Sequence, residues 1–60
     1  MSVEAMVQEM IDTLNTALVD AAKHDKGNNA AGVRVRKAMQ SVKSGAQDVR
    51  AQVQADKAQR

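Results

Sequence analysis

Apolar residues in the first half of the chain recur as Val3, Val7, Met10, Leu14, Ala17 and Ala21, separated by steps of 4, 3, 4, 3 and 4. That alternation is the heptad seam of an α-helix packed along another helix. A second row, Val7, Ile11, Leu14, Leu18 and Ala21, runs beside it. Two adjacent rows make an apolar face wider than a two-stranded contact needs. The second half repeats the steps through Val35, Met39, Val42, Ala46, Val49 and Val53. The pattern predicts one helix over about residues 3–25 and another over about 30–56, joined by a turn over about 26–29.

The ends of both patterns carry matching signals. Ser2 suits an N-cap, with Glu4 in the first turn where the helix dipole favours an acid. Lys23, His24 and Lys26 sit at the opposite end, where cations are favoured, and Gly27 suits the left-handed stop. Asn28 or Asn29 can cap the second helix. Its polar tail beyond Val53 is expected to fray. Gly32 and Gly45 each cost about 1 kcal/mol relative to alanine, so packing must hold this helix more than propensity does. The small residues Ala38, Gly45 and Ala46 allow close helix approach.

A turn this short folds the helices back antiparallel. The expected fold is therefore all-α: a single helical hairpin spanning residues 1–60. A lone hairpin leaves one side of each apolar stripe in water. The chain has no cysteine and one histidine, so neither a disulfide nor an ordinary zinc site can staple it. Self-association remains, and the expectation is a homodimer forming a four-helix bundle.

Composition narrows the chemistry. No aromatic residue is present, which removes base stacking as a way of binding single strands. The apolar runs are far shorter than the ~20 residues of a membrane span, and the N-terminus lacks the pattern of a signal peptide. Alanine and valine dominate the apolar face, which suits helix packing better than insertion at a membrane surface. No nucleophile–base pair, metal-ligand spacing or phosphate-cradling glycine loop occurs. The expectation is a cytoplasmic protein that is not an enzyme and takes no cofactor, metal or small-molecule substrate.

Charge is what suggests a partner. Through Lys26 five acids face two lysines, a net −3; from Gly27 onward seven cations face two aspartates, a net +5. Arg36, Lys43, Arg50 and Lys57 recur every seven residues beside the apolar seam, with Gln40, Ser44, Gln47 and Gln54 along the outside. A solvated face that pairs with the acidic first helix accounts for such a row about as well as a binding surface does. Arg34, Arg36 and Lys37, however, cluster at a helix N-terminus, where the dipole opposes them. A phosphate there would explain them, with Gly32 allowing its close approach to the exposed amides.

The segment Gly27-Asn28-Asn29-Ala30-Ala31-Gly32-Val33-Arg34-Val35-Arg36-Lys37 resembles the G-N-K-A-A-G-x-R-x-R-K signature of the bacterial linker-histone-like proteins, the chlamydial Hc family. Ten of the eleven positions agree, counting the free ones; Asn29 stands where the family usually has lysine. The resemblance implies a nucleoid-associated protein that binds double-stranded DNA with little sequence preference and compacts or bridges it. It assigns DNA contact to Arg34, Arg36 and Lys37, and the seven-residue spacing adds Lys43 and Arg50. The substituted lysine implies a low affinity per protomer. The competing expectation is a structural oligomerisation module whose charges pair only its own helices.

Overall fold

A computed structural model describes residues 1–60 as two α-helices and a turn, with no strand. Helix α1 spans Val3–Asp25 and helix α2 spans Asn29–Ala58. They lie antiparallel: near the turn Asp20 meets Arg34, and farther along Met10 packs beside Gly45. The chain is thus a helical hairpin, 50 Å long and 15 × 13 Å across.

Local chemistry sets each boundary. The Ser2 hydroxyl oxygen accepts the Ala5 N–H at 3.1 Å and starts α1. At its far end the Gly27 N–H donates to the His24 carbonyl at 2.9 Å, and the Asn28 N–H donates to the Lys23 carbonyl at 3.1 Å. This pair of bonds is a Schellman closure, and it requires the left-handed backbone that Gly27 supplies at φ 101°. Of the two candidate caps, Asn28 is the one used. Its side-chain oxygen accepts the Ala31 N–H at 3.0 Å, while Asn29 is the first residue of α2. Helix α2 runs on through the polar segment after Val53 to Ala58, where a Gln52–Asp56 side-chain bond of 2.9 Å spans one turn.

The seam between the helices lies beside the rows expected from the pattern. On α1 the half-buried or buried positions are Val3, Ala5, Met6, Met10, Thr13, Ala17, Asp20 and Ala21; on α2 they are Ala31, Gly32, Val35, Ala38, Val42, Gly45, Val49, Gln52, Val53 and Asp56. Val7, Leu14, Met39 and Ala46, expected in the seam, are exposed instead. The cause is side-chain size. Thr13, Ala17, Ala38 and Gly45 let the two backbones approach, whereas leucine and methionine at those positions would hold them apart. Leu14, Leu18 and Met39 lie to one side of the hairpin, where they line an apolar groove together with Val35 of the seam.

The hairpin has almost no core of its own. Only Ala17 and Ala31 are buried, at 5% and 0% exposure. Its accessible surface is 4736 Å², against about 3,800 Å² for a compact monomer of this mass. Its radius of gyration is 14.4 Å, against ~10 Å for a compact domain of this length. The chain is a slab with one apolar side open to solvent.

Candidate nucleic-acid interface

With the seam of α2 turned toward α1, the opposite edge of α2 points away from the hairpin. That edge carries Arg36, Gln40, Lys43, Gln47, Arg50, Gln54 and Lys57, in steps of 4 and 3. All seven are exposed. The row shares the seven-residue period of the seam and so stays opposite α1 over its whole length. Cations recur about every 10 Å and alternate with glutamines, and the row is roughly 31 Å long. Its surface is open: Val33, Arg36, Lys37 and Gln40 line one shallow depression, and Gln40, Lys43, Ser44, Gln47 and the carboxylate-bearing Asp48 line the next.

The hairpin does not neutralise this row. The Arg34–Asp20 pair, at 3.0 Å, is the one side-chain ion pair in the molecule. Arg36, Lys37, Lys43, Arg50 and Lys57 have no acidic partner, although α1 carries five acids. Those acids lie on the far helix, beyond reach of an edge that points away from it. The arrangement therefore disfavours a face that exists only to pair the protein's own helices.

The five residues expected to contact DNA are not all together. Arg36, Lys43 and Arg50 share the outward row, and Lys37 lies beside its beginning. Arg34 is on a different side, half exposed, with its guanidinium donating to the Asp20 carboxylate at 3.0 Å. The opening beside Gly32 is also not free for an anion. The His24 imidazole lies against it, and a Cβ on Gly32 would fall 2.5 Å from His24 Nδ1. Lys57 and the three glutamines belong to the row as fully as the cations named from sequence. The signal for them was the 4–3 alternation itself, which gains force only once the seam is known to lie on the opposite edge.

Residues 4–59 match the family described as histone H1-like protein Hc1. The chain belongs to this family. No curated protein and no solved structure matches it. Membership in the Hc1 family covers nearly the whole hairpin and points to a DNA-binding nucleoid protein rather than an enzyme. No helix of this Hc1-family chain is long and apolar enough to cross a membrane.

Proposed function

We propose that this protein is a nucleoid-associated, histone-like protein that binds duplex DNA through its phosphates. The row Arg36–Lys43–Arg50–Lys57, with Lys37 beside it, is the binding surface, and Arg34 stands outside it. The observation that carries this reading is a 31 Å line of cations that the hairpin leaves unpaired, in a chain of a histone H1-like family. The row is one residue wide and has no aromatic or apolar side chain to engage base edges, so it suits the sugar–phosphate backbone. The glutamine amides between the cations supply further hydrogen bonds to phosphate and sugar oxygens. Binding is then largely independent of sequence. The hairpin acts as a homodimer, because its open apolar side needs covering, and it works in the cytoplasm on the nucleoid.

Titration against random-sequence duplex DNA at increasing salt tests this reading. Five phosphate contacts per protomer give a slope of about −4.5 in log affinity against log salt. Arg36→Glu with Lys43→Glu is expected to abolish binding while the helical circular dichroism is retained. Wild-type protein that fails to bind at low salt overturns the DNA reading and favours a purely structural module.

A further inference from the structure

We infer that two hairpins pair through their apolar sides with both turns at the same end, α1 of each against α2 of the other, so that each dimer presents two basic rows on opposite faces and bridges two duplexes. The inference rests on the DNA reading for what the rows bind, but the pairing itself is argued independently of it.

Two observations commit the open side to a second copy. The first is area: the hairpin exposes roughly 900 Å² more than a compact protein of its mass. One partner in a standard stable interface contributes about 800 Å². The second is composition. The groove that holds Leu14, Leu18 and Met39 is lined by no charged residue, and the two helices that form it carry opposite net charge. Helix α1 carries five acids and one lysine, a net −4, and α2 carries six cations and two aspartates, a net +4.

A two-fold dimer through this side has two possible arrangements. With the turns at opposite ends, α1 lies against α1 and α2 against α2. Acid then crowds acid, and Arg36 comes level with the partner's Arg50. With the turns at the same end, each α1 lies against the oppositely charged α2. Like charges facing each other suppress the first arrangement, and complementary charges favour the second. The leucine row of α1 then packs on Met39 and Ala46 of the partner's α2. The symmetry has a functional consequence. In this arrangement the two outward edges of α2 point in opposite directions, so one dimer holds two duplexes apart at a fixed spacing. The rejected arrangement would put both rows on one face and coat a single duplex.

The chain has no cysteine, so Lys26→Cys can carry a single nitroxide label beside the turn, away from the row. Pulsed electron–electron resonance on the labelled full chain, without DNA, is expected to give a distance of about 20 Å, the width of a four-helix bundle. A distance of roughly 40 Å, expected for turns at opposite ends, overturns the pairing, as does the absence of dipolar coupling. The same protein is then mixed with bead-bound duplex and a second, fluorescent duplex. Recovery of the fluorescent duplex on the beads is the expected result. A 20 Å coupling with DNA bound but no second duplex captured overturns the bridging. A 20 Å coupling in protein that binds no duplex overturns the DNA reading and leaves the pairing standing.

Discussion

Gly27 and Gly45 are both glycines beside a helix seam, yet they respond oppositely to a methyl group. Gly27 holds φ at 101°, a conformation that alanine adopts only with strain. Gly27→Ala is expected to destabilise the hairpin by about 1 kcal/mol, seen as a lower thermal midpoint. Gly45 is helical, and an added Cβ would meet Met10 Cγ at 3.4 Å, an ordinary contact. Gly45→Ala is expected to stabilise by roughly 0.5–1 kcal/mol through helix propensity, raising the midpoint by a few degrees. The residue scale was legible where the physics is local. The Ser2 cap, the Gly27 stop and the asparagine cap follow from which side chains satisfy backbone groups within three residues. The Arg34–Asp20 pair was not legible, because it joins residues fourteen apart across the turn and depends on how the helices rotate against each other.

At the scale of the element, the same rotation decides which cations act together. Both helices and their direction could be predicted from the 4–3 spacing. The choice of inward row could not, because α1 carries two adjacent apolar rows and spacing alone does not rank them. Size ranks them: alanine, glycine and threonine go where backbones must approach, and leucine goes to the side. That shift leaves Met39 beside the groove and Arg36, Lys43, Arg50 and Lys57 on the outer edge. It also separates Arg34 from them, which yields a test within one helix. Lys57→Gln is expected to reduce the salt slope of DNA binding by about 0.9, one phosphate contact. Arg34→Gln is expected to leave that slope unchanged, despite its place in the family signature. Its guanidinium is half exposed, but the Asp20 carboxylate it leaves behind is only 15% exposed, so its loss is expected to cost about 1 kcal/mol of stability. Equal slopes for the two variants would place Arg34 in the binding surface and break the assignment of the outer edge.

For the molecule as a whole, the question is what makes so thin a hairpin stable. Two buried alanines cannot offset the ordering of about sixty residues, each costing on the order of 1–2 kcal/mol in backbone entropy. On the proposed pairing the missing burial comes from the open side, and folding and dimerisation are one event. Two consequences follow. The thermal midpoint is expected to rise with protein concentration, as it does wherever association is linked to folding. Leu18 supplies the sharper test, because in the isolated hairpin it is 69% exposed. If the hairpin folds alone, Leu18→Glu is a surface substitution and stability changes by no more than about 0.5 kcal/mol. If the side is an interface, the glutamate places an unpaired charge between two hairpins. The variant is then expected to sediment as a monomer and to lose most of its helical signal at micromolar concentration. A Leu18→Met control, which keeps the apolar contact, is expected to remain a folded dimer. A fully helical, monomeric Leu18→Glu variant would show that the hairpin is self-sufficient and that its apolar side serves something other than its own assembly.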